Sequence, residues 1–188
     1  MKYIKSRGFA FRSLRIDLRK MLHIPVKEKC QIRIIVIEDY EPFRQLICSI
    51  LEERTEFQVI GQASDGLEAV QKAEELQPDL ILLDIGLPKL NGIAAARQIR
   101  KVVPKSKIVF LSQESDMEIV KAAFSAGANA YVVKSDAGKE MFEALNAVIQ
   151  DGRFVSRRVE GNLTDIKDTG THKRPLPSKR NRWLKPSA

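Results

Sequence analysis

Cysteine is nearly absent from this chain, and long apolar runs are missing. Cys30 and Cys48 are the two cysteines among 188 residues. They are too few for a disulfide framework or a cysteine-ligated metal cluster. Cys48 falls inside an apolar helical pattern, where a reduced thiol acts as a small hydrophobe. A reducing cytoplasm is the expected compartment. No apolar run approaches the ~20 residues that a membrane-spanning helix requires. The N-terminus is a poor signal peptide, because Arg12, Arg15, Asp17, Arg19 and Lys20 interrupt any apolar stretch. No internal repeat is evident.

What is present fits an ordinary soluble domain with extensions: 44% apolar and 30% charged residues. The formal net charge of +8 is unevenly spread. Residues 1–31 carry nine Lys/Arg against two Asp/Glu, residues 32–155 carry fourteen against nineteen, and residues 156–188 carry nine against three. The globular part is therefore acidic, and the positive excess sits at the two ends. Solvated basic ends are the ordinary case, and attraction to an acidic surface is the alternative. Within residues 1–30, Phe11, Leu14, Leu18 and Met21 or Leu22 recur at helical spacing between basic residues. That spacing fits a basic amphipathic helix for a membrane surface or a partner. A frayed leader with no role is favoured, because short isolated helices are marginal in water.

From Gln31 the pattern becomes regular. Strands are expected at 32–37, 57–62, 80–83, 107–111 and 130–133. Helices are expected at 41–54, 66–76, 93–103, 115–126 and 139–149, with Asp65 and Asn91 as N-caps. Five strands alternating with five helices predict an α/β fold built on a parallel sheet with right-handed crossovers. Leu80-Ile81-Leu82-Leu83 is apolar on every residue, as in a strand covered on both faces. The organisation expected is a basic extension over 1–30, a domain over 31–153 and a basic, disordered tail over 154–188.

The strand ends carry the chemistry. Glu38 and Asp39 follow the first strand, Asp84 the third, Ser112 the fourth and Lys134 the fifth. In a parallel sheet those ends share one rim, where ligands of open α/β sheets bind. Each residue has an ordinary alternative role, as a turn former, helix cap or solvated lysine, but five such placements together point to a site. Three crowded carboxylates call for a cation. Oxygen ligands without histidine or cysteine select a hard ion, Mg²⁺. The set suits phosphoryl transfer to Asp84, with Lys134 and Mg²⁺ neutralising phosphoryl charge.

The Glu38-Asp39 pair, Asp84-Ile85-Gly86-Leu87-Pro88-Lys89-Leu90-Asn91-Gly92, Leu111-Ser112 and Gly127-Ala128-Asn129-Ala130-Tyr131-Val132-Val133-Lys134 resemble the receiver domain of two-component response regulators. The resemblance covers about residues 31–153. It implies a flavodoxin-like (CheY-like) five-stranded parallel sheet of order 2-1-3-4-5 with helices on both faces. It also implies a phosphoacceptor at Asp84, supplied by a sensor histidine kinase or phosphotransfer protein. Mg²⁺ would be held by Asp39, Asp84 and the Gly86 carbonyl, with Glu38 acting through water, while Lys134 and Ser112 bind phosphoryl oxygens. Ser112 and Tyr131 would form a switch in which the ring turns inward on phosphorylation. That would bias a surface made by the fourth helix, fifth strand and fifth helix, and a homodimer could form there.

The wording around Leu111–Ser115 and Tyr131–Asp136 is most similar to receivers fused to a C-terminal helix-turn-helix domain. The 33 residues after Val155 show no helical apolar period and lack a recognition-helix signal. Direct DNA binding is therefore not expected, and Trp183 alone offers little for base stacking. The leading expectation is a receiver that signals through its surface or relays phosphate. The alternative is a DNA-associated transcriptional regulator with a truncated or missing output domain. A turnover phosphatase ranks last, since slow self-dephosphorylation is all a phosphoacceptor requires.

Overall fold

The computed structural model describes residues 31–160. The expected amphipathic leader and the tail beyond Glu160 lie outside the described residues. The elements are β1 (Ile32–Ile37), α1 (Glu41–Glu52), β2 (Phe57–Ala63), α2 (Gly66–Leu76), β3 (Leu80–Asp84), α3 (Gly92–Val102), β4 (Lys107–Ser112), α4 (Met117–Ser125) and β5 (Ala130–Val133). A 3₁₀ turn over Lys134–Asp136 leads into α5 (Ala137–Ile149), β6 (Phe154–Val155) and α6 (Arg157–Glu160). All pairings are parallel, in the order β2-β1-β3-β4-β5-β6.

The two-residue alternation of the strands builds two separate cores. Ile35, Ile37, Ile81, Leu83, Ile108 and Phe110 face α2, α3 and α4. Ile34, Val36, Leu80, Leu82, Val109 and Leu111 face α1 and α5. Because helices cover both faces, β3 is buried at every residue, as its unbroken apolar run implies. Helix starts agree with their capping chemistry. Asp65 accepts from the Leu67 and Glu68 amides, and Asn91 from the Ala94 amide. A third cap, Asp116, was not anticipated; it shortens α4 relative to the expected 115–126.

Two side-chain placements differ from the helical pattern. Leu46 and Leu67, apolar residues at helical spacing in α1 and α2, are 52% and 53% exposed, while Ala69 and Ala73 lie in the core as the helical period implies. The start of α2 packs tightly on the loop after β3: a Cβ on Gly66 would sit 1.8 Å from the Leu90 carbonyl oxygen.

The largest departure is at the C-terminal boundary. The sheet has six strands rather than five, and residues 154–160, assigned to a disordered tail, continue the fold. Ser156 and Val159 are fully buried. Two strand residues are too few for a recognisable alternation, so no sequence period marks β6.

Candidate functional site

Parallel strands put their carboxyl ends on one rim, and the predicted residues gather there. Glu38, Asp39, Tyr40, Phe43, Asp84, Gly86, Ser112 and Lys134 line one open cleft of about 880 Å³. Carboxylate oxygens of Glu38, Asp39 and Asp84 lie within 4.8 Å of one another. Glu38 and Asp84 are buried and Asp39 is exposed. Lys134 Nζ sits 2.7 Å from Glu38 Oε2 and 3.0 Å from Asp84 Oδ2, and its side chain is itself only 13% exposed. One lysine thus stands against three carboxylates, leaving an excess of negative charge.

That excess shows in Glu38. Burial raises its pKa, and the charge of Asp84 pushes in the same direction, while Lys134 opposes both. A site with surplus carboxylates, all oxygen donors and an open mouth fits a hard divalent cation. Asp39 is the carboxylate most open to solvent, and Gly86 borders the same cleft: a Cβ there would lie 3.5 Å from Asp84 Oδ2.

Local structure holds each group in place. Asp84 Oδ1 accepts the Ile85 amide at 2.7 Å. The amino end of α3 presses against the same backbone, where Gly92 donates to the Ile85 carbonyl at 2.9 Å. A Cβ on Gly92 would fall 1.9 Å from the Asp84 carbonyl oxygen, so this position requires glycine. The loop beyond Asp84 is tied to α2 by Lys89, whose Nζ lies 2.5 Å from Asp65 Oδ2.

Ser112 ends β4 and is buried at the rim. Tyr131 is fully buried on β5, its ring tilted against Phe110 at a centroid distance of 6.4 Å. Burial pushes the Tyr131 phenol up. The ring that was expected to turn inward on phosphorylation is already inside here. It stays there because its hydroxyl donates to the Glu114 carbonyl at 2.9 Å.

Three contributors were missed by sequence reasoning. Glu114 bridges the Ser112 and Tyr131 side chains through its backbone: its amide donates to Ser112 Oγ at 3.1 Å and its carbonyl accepts from Tyr131. Phe43 places its ring 5.2 Å below Lys134 Nζ, a cation–π contact. Arg44 donates to the Glu38 carbonyl at 2.5 Å. Phe43 lies at helical spacing in α1, a pattern that marks it as a core residue. Nothing in one sequence signals the other two, because a backbone contact leaves no residue-type signature.

An open, doubly covered parallel sheet with an acidic cleft, an opposed lysine and a hydroxyl at its carboxyl rim defines an α/β domain whose rim is suited to a cation and a phosphoryl group. Comparison with known proteins narrows that class. Residues 34–146 match the response regulator receiver domain, and the chain belongs to that family. It is 35% identical over 133 residues to the transcriptional regulatory protein DegU of Brevibacillus brevis, covering 71% of this chain and 56% of DegU. It is 33% identical over 154 residues to the transcriptional regulatory protein LiaR of Bacillus subtilis, covering 81% of this chain and 73% of LiaR. The chain thus spans little more than half the length of DegU. Among solved structures, a LuxR-family two-component response regulator from Aurantimonas superposes with a TM-score of 0.69 at 28% identity, covering 72% of this chain and 96% of that one. The response regulator domain of Thermotoga maritima CheB superposes with a TM-score of 0.59 at 34% identity, covering 64% and 95%. The fold is therefore CheY-like, with β6 added at one edge of the sheet.

Proposed function

We propose that Asp84 accepts a phosphoryl group from the phosphohistidine of a sensor histidine kinase or phosphotransfer protein, in the cytoplasm. The observation that carries this is the single rim cleft in which Asp84, Glu38, Asp39 and Lys134 meet. A carboxylate oxygen of Asp84 attacks phosphorus, the bond from phosphorus to the donor imidazole nitrogen breaks, and that nitrogen recovers its proton. Asp39, Asp84 and the Gly86 carbonyl would hold Mg²⁺, with Glu38 behind them, and the ion would neutralise charge on the phosphoryl oxygens. Lys134 exchanges its carboxylate partners for a phosphoryl oxygen, and the Ser112 hydroxyl donates to another. The chain acts as a phosphoacceptor with at most slow loss of its own phosphate.

Intact mass after incubation with acetyl phosphate and Mg²⁺ tests this reading. The expected result is a gain of one phosphoryl group that vanishes in Asp84→Ala and without Mg²⁺. No adduct, under conditions that label another receiver, would remove the reading. Multiple turnovers of an external phosphomonoester would instead favour a phosphatase.

The output is a separate matter. Signalling through the α4–β5–α5 face, with dimerisation there, is the first reading. The names of DegU and LiaR as transcriptional regulatory proteins favour a second, in which the chain acts on DNA. Residues 161–188 add seven Lys/Arg against two Asp/Glu, enough for salt-sensitive phosphate contacts.

A further inference from the structure

The residues that report the state of Asp84 are held from behind by β6 and α6. The Ser156 amide donates to the Tyr131 carbonyl at 2.9 Å. The Val133 amide donates to Ser156 Oγ at 2.9 Å, one residue before Lys134. Ser156 Oγ in turn donates to Glu140 Oε2 at 2.5 Å, deep beneath α5. Arg158 Nε and Nη2 reach the two carboxylate oxygens of Asp136 at 2.8 and 3.2 Å, on the 3₁₀ turn that carries Lys134. Val159 is fully buried in the core shared with Val120, Ala123 and Tyr131. Residues 131, 133 and 136 therefore surround Lys134 in sequence, and each has a partner in the 156–158 segment.

Two features make this more than a convenient end to the domain. Glu140 is a buried carboxylate that the phosphoryl chemistry does not use, and its oxygens take the Ser156 hydroxyl and the Arg157 amide at 3.4 Å. A buried polar pair of this kind loses both partners together when the segment leaves, so docking is close to all-or-none. The segment is also short. Ser156 and Val159 are its fully buried anchors, so its docking rests on few residues.

We propose that residues 154–160 form a clasp whose docking is coupled to the phosphorylation state of Asp84, and that the chain beyond Glu160 is governed through it. This rests on the receiver reading above. When Lys134 exchanges Glu38 for a phosphoryl oxygen, the turn that carries it readjusts in this proposal, and that turn is what the clasp holds through Asp136. By reciprocity, loosening the clasp changes the stability of the phosphorylated form.

Hydrogen exchange of the full chain tests this, with and without acetyl phosphate and Mg²⁺, and with intact mass measured on the same sample. Exchange at Ser156 and Val159 is expected to accelerate about tenfold on phosphorylation, within the usual range for coupled sites. Amides of β2 at the far edge should stay unchanged. A mass gain with unaltered exchange at residues 154–160 would overturn the clasp and leave the receiver reading standing. A missing mass gain would remove the receiver reading instead. Arg158→Ala supplies the second arm, since it removes only the exposed contact to Asp136. It is expected to speed exchange at both Ser156 and Ser135 in the unphosphorylated chain and to change the lifetime of the phosphoryl group. If Ser135 exchanges as in the unaltered chain, the clasp does not hold the Lys134 turn and the proposal falls.

Discussion

Glu38 carries an electrostatic burden. Its pKa lies above the ordinary glutamate value of 4.5, first because burial strips water from the charge and then because Asp84 repels it. Charging it therefore opposes folding. Below the ordinary value Glu38 is protonated in both folded and unfolded chains, and the penalty is absent. The penalty grows as pH rises through the raised folded value. Glu38→Gln is thus expected to raise the melting temperature at neutral pH in the absence of divalent cations, and the gain should fade as pH falls toward 4.5. Melting curves across that range check this; a gain independent of pH would assign the effect to packing. Mg²⁺ should stabilise the unaltered chain more than this variant. Lys134 acts in the opposite sense. Lys134→Ala is expected to keep the fold and to uncouple phosphorylation from the surface change, read as an exchange pattern that no longer responds to acetyl phosphate.

At the scale of elements, β3 and α3 carry the site. Leu82 is 1% exposed on the central strand, packed among residues facing α1 and α5. Leu82→Ala should cost about 2–5 kcal/mol, the usual range for a large core truncation, and denaturant titration measures it. An unchanged midpoint would contradict the burial of β3. Gly92 tests a different property of the same region. An added Cβ would overlap the Asp84 carbonyl, so Gly92→Ala must push the start of α3 away from Asp84. The expected outcome is a folded protein by circular dichroism with slowed phosphoryl uptake. Uptake at the normal rate would show that the position of α3 does not matter to the site.

For the whole molecule, the charge asymmetry between an acidic domain and basic ends sets the prediction. If the chain acts on DNA, binding to a duplex should weaken steeply with added salt. It should also be lost on removal of residues 161–188. That cut spares β6 and α6, whereas a cut at 156 would remove the buried Ser156 and Val159 and confuse binding with folding. No binding at low salt would leave surface signalling as the output.

Much of this protein is legible in its sequence because the relevant signals are local. The β-branched run at 32–37, the apolar run at 80–83, helical periods, and Asp65 and Asn91 as caps set the elements, and element order sets a parallel sheet. Once the sheet is parallel, residues at strand ends must share a rim, so Glu38, Asp39, Asp84, Ser112 and Lys134 could be grouped without coordinates. Only the tertiary structure could place what depends on distance between elements. Lys134 over Phe43, Glu114 between Ser112 and Tyr131, and Tyr131 already turned inward are such cases. The sixth strand is the clearest of them. Its two residues have no period of their own; β6 exists because the open edge of β5 pairs with it and the buried Glu140 anchors Ser156, the residue that follows it.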